Sequence, residues 1–158
     1  MRKLRVYLDT SVFGGVCDEE FAGASDRFFQ AVLAGKYTVV FSEETVRELG
    51  DAPQAVKSLL DRIPADCMER VAMGFEVEAL AQAYVSAGVV SQGNQSDALH
   101  VAAATVARAD LILSWNFRHI VNYSRIRGYN GVNALNGYPP IEIHSPLEIE
   151  HGDEGEDV

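Results

Sequence analysis

The stretch Leu4-Arg5-Val6-Tyr7-Leu8-Asp9-Thr10-Ser11 decides how the rest of the chain reads. Residues 4–8 form a β-prone run that ends abruptly in three polar residues, with Gly14-Gly15 following as a flexible turn. It reads as a strand emptying into a polar loop, with a carboxylate at the strand's end. The same logic extends outward. From Ser25, the residues Phe28, Phe29, Val32 and Leu33 have helical spacing, and Gly35 stands where a C′ residue belongs. Tyr37 to Phe41 is a second strand, and Ser42 caps a helix to Leu49 with Glu43 and Glu44 in its first turn. Pro53 to Ile63 and Glu76 to Ala87 read as amphipathic helices, the second closed by Gly88, with a short β-like piece from Met68 to Ala72 between them.

After a polar connection over 89–95, Ser96 is expected to cap a helix running to about Arg108. Its interior, Ala98-Leu99-His100-Val101-Ala102-Ala103-Ala104, is small and apolar enough to pack closely against a sheet. Leu111 to Trp115 reads as a strand, Phe117 onward as a helix, and Ile141-Glu142-Ile143 as a last short strand. Alternating strands and helices call for parallel pairing through helical crossovers. The expected fold is therefore a three-layer α/β/α sandwich with a mainly parallel central sheet. In such folds ligands bind beyond the carboxyl ends of the strands.

The chain's 158 residues, 47% of them hydrophobic, suit one domain over 1–147 with a real core. The segment 148–158, acidic and without a single basic residue, is expected to be a disordered tail. It supplies more than half of the net charge of −10, which excludes a protein that coats nucleic acid through a basic surface. An anionic substrate would need local Arg or Lys, or bound cations. Cys17 and Cys67 form no C-x-x-C unit, which speaks against a zinc knuckle or disulfide framework and for a reducing compartment. The apolar stretch Val6-Tyr7-Leu8 is too short for a signal-peptide core, and no segment approaches the length of a membrane span, so a cytoplasmic location without membrane association is expected.

Asp9 follows the first strand, Glu48 lies on the helix after the second, Asp97 opens a helix, and Asn116 follows the strand ending at Trp115. A parallel sheet would gather these at one edge. Hard cations such as Mg²⁺ and Mn²⁺ take oxygen ligands, usually a few carboxylates with waters and substrate phosphate completing the shell. Such a site supports phosphodiester hydrolysis. Local roles compete with this reading. An Asp after a strand serves turns and caps, Thr10 and Ser11 suit turn hydroxyls, and Asp97 favours a helix dipole without any metal. Glu48 is preferred over Glu44 as the ligand because it sits deeper on the same face, with Glu44 in reserve. Asp110 suits a turn as well as a site.

The blocks Val6-Tyr7-Leu8-Asp9-Thr10-Ser11, Thr45-Val46-Arg47-Glu48-Leu49, Ser96 to Ala104 and Ala109 to Phe117 together resemble the PIN domain family, and are similar to ribonuclease toxins of VapC type. The four blocks come in the family's order across residues 4 to 120. The resemblance implies a metal-dependent endoribonuclease whose Asp9, Glu48 and Asp97 bind Mg²⁺ or Mn²⁺. Asn116 stands where the family commonly has a fourth acid, which removes one negative ligand. Ser11 matches a hydroxyl that helps orient water at the metal. The resemblance also implies an RNA substrate, a small antitoxin partner and a homodimer. Arg118 and His119, directly after Asn116, are candidates to meet the phosphate backbone, with Arg108, Arg125 and Arg127 adding basic charge in the same half of the chain. His100, on an apolar helix, reads as a packing residue, and Trp115 as core rather than a stacking platform. The competing class is a catalytically silent PIN-like module that binds RNA or protein. A nucleotide-binding or phosphatase domain is less favoured because no Gly-rich phosphate loop follows the first strand.

Overall fold

The computed structural model describes residues 2–149. Its elements run in the order β1 (Leu4–Leu8), α1 (Thr10–Gly14), α2 (Ala22–Leu33), β2 (Tyr37–Ser42), α3 (Glu43–Leu49), α4 (Gln54–Arg62), β3 (Met68–Val71), α5 (Phe75–Ser86), α6 (Gln95–Val106), β4 (Leu111–Leu113), α7 (Tyr123–Leu135), β5 (Glu142–His144) and α8 (Pro146–Ile149). The five strands form one sheet in the order β3-β2-β1-β4-β5, and every pairing is parallel. The sandwich architecture expected from the sequence is the one the chain adopts, and the sheet is wholly rather than mainly parallel.

Alternation along β1 divides the core between the two faces. Val6 and Leu8 point into a cluster with Val12 and Phe13 of α1, Phe28 and Val32 of α2, and Val56 and Leu59 of α4. Tyr7 points the other way, into a cluster with Leu80 and Tyr84 of α5, Val101 and Ala102 of α6, and Tyr129 of α7. The alanines of α6 are fully buried. Only small side chains let a helix backbone come that close to the sheet.

β1 is central, flanked by β2 on one side and β4 on the other. The chain leaves β1 toward β2 and returns to its opposite side only with β4, so the strand order reverses at β1. A crevice opens at such a reversal beyond the carboxyl ends of the strands. Asp9, Ser42 and Ser114 stand immediately beyond β1, at the end of β2, and beyond β4 respectively.

Four local expectations are corrected. The polar stretch after β1 is helical from Thr10 to Gly14, not a loop with a glycine turn. Ser96 lies inside α6 rather than capping it, since the helix already begins at Gln95. Phe117 opens only a single turn, closed by Ile120 N–H and Val121 N–H on the Asn116 carbonyl and not continued, and α7 begins only after Asn122, whose side chain accepts from Arg125 N–H. The expected tail begins too early. Glu148 belongs to α8, held by His144 Nδ1 at 2.9 Å and by the Ser145 N–H at 3.1 Å. The remainder of the expected tail, 150–158, lies outside the described residues.

Candidate active site

Asp9 stands at the N-cap of α1, yet its carboxylate makes no capping bond. It is 5% exposed and held from two sides. Ser11 Oγ donates to Asp9 Oδ2 at 2.7 Å and Ser114 Oγ donates to the same oxygen at 2.8 Å. Each hydroxyl is itself fixed by a backbone amide, Trp115 N–H donating to Ser11 and Asn116 N–H to Ser114, both at 2.9 Å. Two amides just beyond β4 thus steer two hydroxyls onto one carboxylate oxygen. A carboxylate held this way has few rotamers to lose when it takes up a ligand.

Glu48 comes from α3, whose start is set by a reciprocal cap between Ser42 and Thr45, the Ser42 N–H donating to Thr45 Oγ1 at 3.2 Å. Thr10 Oγ1 donates to Glu48 Oε1 at 2.6 Å and Ser96 Oγ lies 2.9 Å from Glu48 Oε2. His100 Nε2 is 2.5 Å from Oε1. Burial by itself would raise the Glu48 carboxyl, but the hydrogen bond and charge of His100, with the Thr10 and Ser96 hydroxyls, hold it down to about 2. His100 is fully buried, which opposes its charge. The Tyr7 oxygen, 2.7 Å from Nδ1, and the Glu48 and Asp9 carboxylates nevertheless hold it well above the ordinary imidazole value. The sequence reading of His100 as a packing residue is half of its role. It is buried, and it is also the counter-charge of Glu48.

Asp97, in the first turn of α6, completes the acidic group. Its pKa is raised, first by burial and then by the charge of Asp9, with His119 and His100 opposing. Its two oxygens meet Asn116 Nδ2 at 3.2 Å and His119 Nδ1 at 3.2 Å. Asn116 turns its own Oδ1 away, accepting the His119 N–H at 2.9 Å. Its amide therefore faces Asp97 with a donor.

Asp9, Ser11, Glu48, Asp97 and Asn116 all line one cleft of about 420 Å³, joined by Thr10, Asp18, Phe21 and Trp115. Arg118 is exposed and does not line it. Glu44, the reserve ligand, is turned to Arg47 and Ser96 instead. Asp110 lies at the other end of β4, where it takes Arg2 and the Arg5 N–H. Arg108 offers its carbonyl to Arg5, Arg125 binds the Val89 carbonyl, and Arg127 stands over the Tyr123 ring, so none of the three lines the cleft. Sequence reasoning missed Thr10, Ser96, Ser114 and His119 as partners of the acids.

The donor set suits a hard divalent cation. Asp9, Glu48 and His100 offer ligand atoms within 4.8 Å of one another, but both ring nitrogens of His100 are already engaged and the ring favours its charged form, so it behaves as a resident cation rather than a ligand. The oxygens of Asp9, Glu48 and Asp97 are what remain.

The PIN domain model matches residues 5–118 of the sequence. The chain belongs to the PIN domain family. Among solved structures, it is similar to a chain in the crystal structure of VapBC2 from Rickettsia felis bound to a DNA fragment from their promoter. The identity is 13%, the TM-score is 0.56, and the match covers 90% of this chain and 98% of that one. That likeness is one of fold. No curated protein matches the sequence. Among the described residues, no helix of this PIN domain is long and apolar enough to cross a membrane.

Proposed function

We propose that this PIN domain is a metal-dependent endoribonuclease, the toxin of a toxin–antitoxin pair in the cytoplasm, with Asp9, Glu48 and Asp97 holding Mg²⁺ or Mn²⁺. The observation that carries the reading is the convergence of three carboxylates from three elements in one cleft, with Asp97 raised by burial and by its neighbour's charge. Excess negative charge in a half-buried cleft is relieved by a cation. When bound, such a cation supplies charge neutralisation at the phosphate and activation of water. The chain's own groups do the positioning. Ser11 and Ser114 hold Asp9 in one rotamer, while Thr10, Ser96 and His100 hold Glu48 ionised. Asn116 and His119 orient Asp97. Arg118, exposed two residues beyond Asn116, is free to meet the backbone of a bound strand.

A small antitoxin is the partner proposed, on the strength of the fold shared with a chain of VapBC2, and a second copy of the chain the oligomeric partner. An antitoxin segment that places a basic side chain among these carboxylates would silence the cleft by the same charge relief. The reading is tested by incubating a panel of RNAs with purified protein. Cleavage is expected with Mg²⁺ or Mn²⁺ and none with EDTA, and Asp9→Asn or Asp97→Asn is expected to reduce it at least ~100-fold with the fold intact by circular dichroism. Activity that survives either substitution overturns the assignment.

A further inference from the structure

The cleft has a second wall, and it is aromatic. Phe21, at the start of α2, stacks on Trp115 with ring centroids 4.1 Å apart and an interplanar angle of 16°. Phe117 does not itself line the cleft but leans against both of these lining rings, 6.4 Å from Phe21 and 6.2 Å from Trp115, and remains 46% exposed. Trp115 is the fixed member. Its Nε1–H donates to Ser25 Oγ at 2.9 Å. Gly15 leaves it that seat, because a Cβ there would lie 2.7 Å from Nε1 and 2.4 Å from Ser25 Oγ. The expectation that Trp115 belongs to the core is right for its own ring, and that ring backs Phe21, which reaches the cleft.

The charge of the cleft says what the wall is for. Among the described residues its lining contains four acids, Asp9, Asp18, Glu48 and Asp97, and no Lys or Arg. Inside the cleft a polyanionic strand meets no Lys or Arg, the exposed Arg118 standing outside its lining, so attraction there beyond a bound cation must come from the strand's uncharged parts. The faces of nucleobases are such parts, and aromatic rings take them without regard to sequence. Trp115 and Phe117 flank Asn116 in the chain, so the wall begins one residue from the side chain that touches Asp97.

We propose that Phe21 and Phe117, backed by Trp115, form a stacking subsite for an unpaired nucleobase next to the phosphate held at the carboxylates. The proposal rests on the nuclease reading for the position of that phosphate, and it deepens that reading. The subsite selects for strands whose bases are unstacked, since a duplex offers only its edges and backbone to such a wall.

Trp115 is the only tryptophan of the chain, so its fluorescence reports the subsite directly. The probe is an oligoribonucleotide of about eight residues, within the span of a single-strand groove, titrated in Ca²⁺ against wild type, Phe117→Ala, Phe117→Tyr and Phe21→Leu. In wild type the strand is expected to change the Trp115 emission, with a duplex of the same sequence binding at least ~10-fold more weakly. Phe117→Ala and Phe21→Leu are expected to weaken binding about tenfold, and Phe117→Tyr to restore it. A strand with abasic sites that binds as tightly as the intact one, or a Phe117→Ala that binds like wild type, overturns the proposal and leaves the wall to a protein side chain. Cleavage in a protein that fails these binding tests would keep the nuclease reading and remove the subsite. Ring-dependent binding in a protein that cleaves no RNA would do the reverse.

Discussion

Asn116 is the residue at which the site departs from an all-acid set, and the geometry explains how the fold accommodates the change. Its Oδ1 closes the turn onto His119 N–H, and its Nδ2 donates to Asp97. An Asp at 116 can keep the first bond but must set a carboxylate oxygen against Asp97, whose pKa is already raised by burial and by Asp9. The like charges then need a cation. Asn116→Asp is therefore expected to tighten binding of Mn²⁺ roughly tenfold, and Asn116→Ala to cost less than losing Asp9 or Asp97. Calorimetry on metal-free protein without RNA decides it, and an Asn116→Asp protein that binds Mn²⁺ no more tightly than wild type would refute this account of the position. At this scale three of the cleft's acids were legible because Asp9 follows a strand, Asp97 opens a helix and Glu48 lies on the helix that follows β2. Their partners were not. Thr10 reaches Glu48, 38 residues away, Ser11 accepts from Trp115, 104 away, and His100 reaches Tyr7, 93 away. Local spacing carries no trace of bonds that only the sheet's closure creates.

Among the elements, those defined by their own residues were readable. The strand over 4–8, and the helix α2 ending before a Gly35 with φ of +84°, needed only β-propensity and a left-handed C′ position. Elements that depend on distant partners were misread. Helix α1 is built from residues that suit a turn, and its Val12 and Phe13 earn their place only by burial in the core. Helix α8 is held to β5 by charge. His144 Nε2 meets Glu142 and Nδ1 meets Glu148, both at 2.9 Å. Burial opposes the charge of His144, but the two carboxylates raise its pKa above the ordinary 6.5. Burial would likewise raise Glu148, but His144 and the Ser145 N–H lower it below 4.5. The histidine's contribution is full below 6.5 and is lost as pH rises through its raised value. The glutamate's is full above 4.5 and is lost as pH falls through its lowered value. Docking of α8 is thus expected to be firmest between these two ordinary values. Because the groups are partly solvated, the effect is local opening rather than global unfolding. Amide exchange over 146–149 with a ring-proton titration of His144 measures it, and a His144 that titrates at or below 6.5 would disprove the arrangement.

For the molecule as a whole, folding concentrates charge that the sequence spreads out. Three carboxylates separated by dozens of residues meet in one cleft of a chain carrying −10, and the raised pKa of Asp97, due first to burial and then to the charge of Asp9, means that keeping this one carboxylate ionised opposes folding in the absence of a cation. A cation that binds the folded state and not the unfolded chain adds stability set by its concentration relative to its dissociation constant. At a hundredfold excess over that constant this is about 2.7 kcal/mol, or an upward shift in Tm of roughly 5–10 °C for a domain of this size. Mn²⁺ or Mg²⁺ should produce the shift in wild type, and NaCl at matched ionic strength should produce much less, because screening acts weakly on partly buried charges. Asp97→Asn separates charge relief from general screening. Removing the carboxylate should raise the Tm of the metal-free protein by roughly 2–4 °C and abolish most of the metal-dependent gain. Scanning calorimetry of both proteins with and without the ions reads all of these. If NaCl matched the divalent shift, or Asp97→Asn retained it, the cleft would be an ordinary acidic surface and the metal reading would fall with it.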